Sequence, residues 1–218
     1  MVTTALISII KAALITPAGS PLPPYEDLRT YTEADPSSKI EISADGLRVT
    51  YTQVNDAYMG WLRKAQTFSG DYSIDFEVRC TGKNADGGLG TSVNFHCLSI
   101  LNNAKPEAST YGGAAILRGT STQILLGVAQ RAYCPQHPEV TQVINQDQTY
   151  YCTLERVAGT LKLYIYTDSG RTVLLATLTS PTLLNTDGTQ IFACAGDLGT
   201  AYPGNWISGY TQNIFIGE

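Results

Sequence analysis

Charge is the first thing this sequence lacks. Charged residues fill 15% of its 218 positions, against about a quarter in an ordinary globular domain. There is no basic run and the net charge is −5. Neutralising phosphates takes clustered Lys and Arg, so nucleic acid is excluded as a partner. Histidine occurs only at positions 96 and 137, each close to a cysteine. No Gly-x-Ser-x-Gly stretch is present, which leaves no readable Ser/His/Asp triad. No Asn-x-Ser/Thr sequon occurs. No apolar run reaches the roughly 20 residues that a membrane-spanning helix needs; Ala5–Ile15 is too short and is interrupted by Lys11. Nothing after Pro24 keeps a helical period.

Cysteine is neither absent nor abundant. Cys80, Cys97, Cys134, Cys152 and Cys194 are an odd set of five in a long chain, unlike the paired framework of a small secreted domain. At most two bridges can form. Cys152 shares the inward side of a strand pattern with Leu154, and Cys194 lies in the apolar run "IFACAG". Both read as buried free thiols acting as small hydrophobes, which suits synthesis in a reducing compartment.

What the chain does have is strands. In "YYCTLERVAGTLKLYIYTDSGRTVLLATL", Tyr150 to Leu178, Leu161, Leu163 and Ile165 fall on one face while Lys162, Tyr164 and Tyr166 fall on the other. Ala158-Gly159 and Asp168-Ser169-Gly170 supply turns, so the stretch predicts a three-strand antiparallel meander. Further strand patterns are "KIEIS", "LRVTYT", "AYMGWLRK", "YSIDFEVRC", "SVNFHCLSIL", "GGAAILRG", "QILLGVAQ", "QIFACAG" and "NIFIGE". About a dozen strands with short turns predict an all-β, two-sheet antiparallel jelly-roll sandwich. "CTGKNADGGLGTS" and "AQRAYCPQHPEVTQVINQDQ" read as long loops, the first as a long hairpin. Its Lys83 lacks the Gly-Lys-Ser/Thr context of a phosphate loop.

Before the strands lies a separate segment. "TPAGSPLPP", Thr16–Pro24, has four prolines in nine residues and should be extended. It divides the chain into residues 1–30, an apolar segment with its linker, and residues 31–218, the sandwich. Leu6, Ile7, Ile9, Ile10, Leu14 and Ile15 would form an associating patch if left in water. They are expected to dock on a neighbouring subunit. The alternatives are an atypical signal peptide, although no positive charge precedes the apolar stretch, and packing back onto the chain's own sandwich.

The order "ADPSSKIEISADGLRVTYT", "GDYSIDFEVRC", "QTYYCTLERVAGTLKLYIYTDSGRTVLLATLT", "SGYTQNIFIGE" resembles the concanavalin A-like lectin/glucanase superfamily in its laminin-G-like branch. The resemblance covers roughly residues 31–218. It implies a concanavalin A-like jelly roll, a closing strand paired beside the first, and functions that range over lectins, hydrolases, adhesion modules and viral surface proteins. Fold alone does not choose among these.

The glucanase pattern needs two carboxylates on one strand face about 5 Å apart. In "SIDFEV", Asp75 and Glu77 share a face, but Ser73 stands where the nucleophile would be, so no catalytic residue is assigned and the face reads as solvated. Cys97 with His96 and Cys134 with His137 make a poor zinc set, because adjacent His-Cys side chains point to opposite strand faces; His96 is expected on a strand surface and His137 in a loop. The resemblance allows a calcium ion, for which Asp168, Asn185 and Asp187 are weak oxygen ligands more simply read as turn residues. Otherwise no cofactor or metal is expected. The remaining candidates are aromatics in or beside loops and strand ends: Tyr58, Trp61, Tyr72, Tyr111, Tyr133, Tyr202 and Trp206. Exposed rings stack on sugars and anchor protein interfaces equally well.

Together these readings predict a non-enzymatic surface or adhesion module with glycan-binding capacity. A virion structural protein, such as a phage capsid decoration, head fibre or tail-associated protein, fits best. Its partners would be other virion proteins through the N-terminal segment, surface glycans, or its own copy in a homo-oligomer. The alternatives are a secreted carbohydrate-binding module and a divergent glycoside hydrolase or lyase.

Overall fold

The computed structural model describes residues 24–35, 38–54, 60–84, 92–102, 112–130, 140–183, 187–196 and 205–217. A single-turn 3-10 helix, Leu28–Thr30, is capped by Asp27, whose carboxylate accepts from the Arg29 amide. It is followed by fourteen strands: β1 (Thr32–Ala34), β2 (Ile40–Ile42), β3 (Arg48–Val54), β4 (Trp61–Phe68), β5 (Tyr72–Asn84), β6 (Ser92–Leu101), β7 (Gly112–Thr120), β8 (Ile124–Gln130), β9 (Val140–Ile144), β10 (Thr149–Val157), β11 (Thr160–Tyr166), β12 (Leu174–Leu183), β13 (Gly188–Gly196) and β14 (Trp206–Gly217). They form two antiparallel seven-stranded sheets. The first runs β1-β4-β13-β6-β7-β8-β9 and the second β12-β11-β10-β5-β14-β3-β2. The expected all-β jelly-roll sandwich is what the chain builds. Among the described residues no helix is long and apolar enough to cross a membrane.

Alternation makes the second sheet. Along β5, Ile74, Phe76, Val78 and Cys80 are buried while Ser73, Asp75, Glu77 and Arg79 are half-buried on the opposite side. In β11, Leu161, Leu163 and Ile165 point inward as the period-2 pattern requires. These side chains meet Phe95, Leu98, Ile100, Leu117 and Leu126 of the first sheet in one core. Tyr51 stacks on Phe95 across the sandwich with ring centroids 3.7 Å apart. Each buried large aliphatic contributes roughly 1.5–3 kcal/mol. Leu28, ahead of the first strand, is also fully buried in this core.

The β10–β11 meander turn falls where the sequence placed it. Val157 pairs with Thr160, and Ala158 and Gly159 between them have φ of 49° and 76°. Two consecutive positive φ values match the right-handed twist of the flanking strands. The Ala158 amide is held by the Asp71 carboxylate at 2.8 Å.

Four expectations need correction. The Gly-rich stretch after β5 is not a hairpin, because β5 lies in the second sheet and β6 in the first; the chain changes sheet there. The stretch read as one long loop between β8 and the meander contains β9, which pairs with β8 from Val140 to Ile144. The closing strand β14 sits between β5 and β3, not beside the first strand; β1 is in the other sheet and pairs with β4. His96 is not on the surface: only 1% of it is exposed. It points away from the core that holds Cys97, but the outward side of the first sheet is itself closed, with Ser99, Ala114, Ile116, Ala129 and Phe192 all buried there.

Candidate functional site

The two sheets present opposite outer faces, and that of the second is open and polar. Strand pairing sets its side chains in rows across the sheet. One row reads Leu174–Tyr166–Tyr151–Glu77–Gln212–Arg48. The next reads Thr177–Tyr164–Thr153–Asp75–Phe215, and the next Thr179–Lys162–Glu155–Ser73–Gly217. On the other side of the first row lie Thr149–Arg79–Tyr210–Thr50–Glu41. Five aromatic rings, Tyr151, Tyr164, Tyr166, Tyr210 and Phe215, thus surround the Asp75–Glu77 pair on a single face.

Hydrogen bonds fix the polar groups among the rings. Thr153 Oγ1 donates to Asp75 Oδ1 at 2.5 Å, and Arg171 Nε stands 3.8 Å from the same oxygen. Gln212 Nε2 and Asn213 Nδ2 donate to the two Glu77 oxygens at 2.7 and 2.9 Å. Arg48 Nε in turn donates to Gln212 Oε1 at 2.6 Å, and its guanidinium lies 4.6 Å from the Tyr210 ring centroid. A bulge in β14 makes this possible. Asn213 has φ of 53°, and the pairing with β5 skips from Gln212 to Phe215. The extra residue turns the Asn213 amide toward Glu77 and returns Phe215 to the open face. The Tyr164 hydroxyl donates to Glu155 Oε2 at 3.0 Å. Partial burial, then that bond to a carboxylate, pushes the Tyr164 hydroxyl up to about 12, so it serves as a donor and not as a base. Tyr151 is raised as well, first by burial and then by the Glu77 charge.

The expected aromatics are divided by the structure. Trp206 joins this face: it opens β14 on the side of Ser208 and Tyr210, and its ring covers Gly82, where a Cβ would come within 3.0 Å of it. Trp61 belongs to the other sheet, edge-on to Phe192 at 6.2 Å with Arg63 over its ring. Tyr72 is a core residue packed on Phe68. Tyr58, Tyr111, Tyr133 and Tyr202 lie outside the described residues, as do the docking residues Leu6, Ile7, Ile9, Ile10, Leu14 and Ile15, and also Cys134 and His137. Tyr151, Tyr164, Tyr166, Tyr210 and Phe215 stand within strands, away from the loops and strand ends where the sequence places the candidate rings. The alternation had already put Tyr164 and Tyr166 on the side away from the core.

The acidic turn residues do not converge. Asp168 accepts from the amides of Thr172 and Val173 and from the Thr172 hydroxyl; the Val173 amide is the main reason its carboxyl is held below the usual range. Asp187 pairs with Arg156 at 3.1 Å. The two sit at opposite ends of β12, so they cannot share an ion, and Asn185 is outside the described residues. Among the described residues no three His, Cys, Asp or Glu side chains gather as metal ligands. Cys80, Cys97, Cys152 and Cys194 are buried free thiols, as expected for Cys152 and Cys194.

No protein-family model matches the chain, and no curated protein matches it. Solved structures do. An alginate lyase from Klebsiella pneumoniae has a TM-score of 0.56 at 9% identity over 85% of this chain and 86% of its own. The exoplasmic/lumenal domain of VIP36, in its Ca2+/Man3GlcNAc-bound form, gives 0.56 at 11% over 90% and 89%. The carbohydrate-binding module CBM66 from Bacillus subtilis gives 0.52 at 10% over 86% and 95%. These likenesses and the two antiparallel sheets make the fold a concanavalin A-like jelly roll. At such identities they speak to fold alone.

Proposed function

We propose that the chain is a carbohydrate-binding module whose sugar surface is the open outer face of the second sheet. The observation that carries this reading is the set of adjoining rows that place Tyr166, Tyr151, Tyr164, Phe215 and Tyr210 around amide, hydroxyl and carboxylate groups. Rings of this kind cover the apolar faces of pyranoses, and fixed polar groups beside them take up the hydroxyls. The rows run across several strands of the sheet, which suits a polymer better than a small metabolite. The three similar structures described above include two proteins named for carbohydrate binding or for a bound glycan, and one named for cleaving alginate; that supports the class of ligand.

The module is non-enzymatic in this reading. Both Glu77 oxygens are taken by amides and Asp75 is engaged by Thr153 and Arg171. It acts on the surface of a larger assembly, a virion being the best fit, to which Leu6, Ile7, Ile9, Ile10, Leu14 and Ile15 attach it. The supports are the apolar N-terminal segment, the buried free thiols and the absence of sequons.

One observation favours carbohydrate cleavage instead. Glu155 stands opposite Ser73 in the register, so a third carboxylate reaches the place where the sequence offers only a hydroxyl. Affinity electrophoresis of the purified chain through neutral and acidic polysaccharide gels, with product analysis of the same mixtures, separates the two. Retardation without new reducing or unsaturated ends is expected. Cleavage that disappears in Glu155→Gln or Glu77→Gln would establish the enzyme instead, and no retardation by any polysaccharide would end the glycan reading.

A further inference from the structure

We infer that β12 is a self-association edge, along which two copies of this chain join their second sheets into one continuous sheet. β12 ends the second sheet, and among the described residues no strand pairs with its outer side. An open strand edge carries unpaired N–H and C=O groups and templates further pairing unless it is blunted. The opposite edge, β2, is blunt, three residues long with Glu41 at its centre. In the first sheet β1 is equally short and carries Glu33. β12 is ten residues long; Pro181 blunts only the last residues of its edge, leaving Leu174–Ser180 open, and no charged residue occurs from Thr172 to Thr186. Val173 just before it and Leu174 and Leu175 at its start have 56%, 51% and 41% of their surfaces exposed. They are three of the five large hydrophobic residues exposed among the described residues.

The occupant follows from charge. Antiparallel pairing about a two-fold axis sets residue i against residue j and j against i, so residues near the axis lie close to their own copies and a charge there would meet its like, which is destabilising. A strand with no charge over this length tolerates itself. A foreign acidic or basic strand would find no complement on it. Thr177 and Thr179, both exposed on the outer face, would pair across the axis as β-branched neighbours, with Leu175 beside them. The two-fold stands perpendicular to the sheet, so both tyrosine faces look the same way. The two Tyr151 side chains are five strand spacings, about 24 Å, apart across the strands, and are further offset along them. A polymer that meets one face meets both, and avidity rises without a new contact. The pairing itself does not depend on what that face binds.

The test is sedimentation velocity of the full chain over a range of micromolar concentrations. The wild type should show a monomer–dimer equilibrium. Thr177→Lys and, separately, Leu175→Lys should weaken it at least about tenfold with an unchanged circular dichroism spectrum. Both side chains are exposed, so either variant keeps the fold. An equimolar mixture of Thr177→Lys and Thr177→Glu chains should dimerise again. A wild type that stays monomeric throughout, or a dimer that neither lysine disturbs, overturns the inference; the second outcome assigns self-association to another surface, such as the N-terminal segment.

Discussion

Among the described residues the two sheets of this sandwich are equal in strand number, and they are opposite in what they show to the outside. On the second sheet, β5 and β11 alternate strictly, and the side turned from the core carries Ser73, Asp75, Glu77, Lys162, Tyr164 and Tyr166 in partial contact with solvent. On the first sheet the alternation fails. Every residue of β7 from Gly112 to Leu117 is buried, as is every residue of β13 from Ile191 to Gly196. A strand buried on both sides reads as a continuous run of small and apolar residues, which is what "GGAAIL" and "IFACAG" are. The failure of alternation therefore marks the closed side, and its persistence marks the side left free to recognise something. Trp61 and Trp206 are the test pair, because sequence reasoning grouped them and the fold puts them on opposite sheets.

The comparison can be broken most sharply at Phe192. Its ring is fully buried on the outward side of the first sheet. If that side is closed, Phe192→Ala costs about 3–5 kcal/mol, as a core truncation does. Tyr151→Ala on the open face should cost less than about 1 kcal/mol. Equal, small losses in chemical denaturation would mean that the first sheet's outer face is open too.

Alkaline pH sharpens the same contrast. Burial pushes the Cys80 thiol up to about 11 and the Cys97 thiol up to about 12, and raises Cys152 and Cys194 as well. Burial also raises Tyr31, Tyr51 and Tyr72. A raised folded-state pKa gives stability that is complete below the unfolded value and lost as pH climbs through the folded one. Unfolded thiols and phenols release protons from about pH 8.5 to 10, while the folded chain still holds them. Stability should therefore be level near neutrality and fall steadily from about pH 9 to 12. Denaturation midpoints measured across that range check it; a rise above pH 9 would mean that these groups are not buried neutral.

The smallest expected effect lies in the β10–β11 turn. Ala158 pays for a left-handed conformation that glycine or asparagine adopts more easily. Ala158→Gly should add a few tenths to about 1 kcal/mol, and Gly159→Ala should remove a similar amount. Thermal midpoints of the two variants should move in opposite directions.

How much of this could be read beforehand follows the same divide. The meander, β5 and the inward place of Cys152 were legible because period-2 alternation is a local property, and the burial of Cys194 because it lies in a continuous apolar run. β1 and β9 were not, being three and five residues long, with β9 just after a proline-containing stretch. The sheet change after β5 was hidden because a glycine-rich turn signal does not say which strand the next one pairs with; core packing decides that. His96 was misplaced because a single histidine between apolar neighbours looks the same whether its face is open or closed. The uncharged runs of β7 and β13 were the available signal. The site was half visible. Tyr164 and Tyr166 could be assigned to an outer face, and Asp75 and Glu77 to another, but only the register, Tyr166 to Tyr151 to Glu77, shows that these are the same face.

That register is also where the functional account is most exposed to test. The decisive measurement is isothermal titration of the wild type, Tyr151→Ala, Tyr164→Ala and Trp61→Ala with the polysaccharide that retards the chain most strongly. The account predicts that each tyrosine variant loses about five- to tenfold or more in affinity with its fold intact, while Trp61→Ala on the other sheet binds as the wild type does. Undiminished binding by both tyrosine variants, or a loss confined to Trp61→Ala, would contradict it.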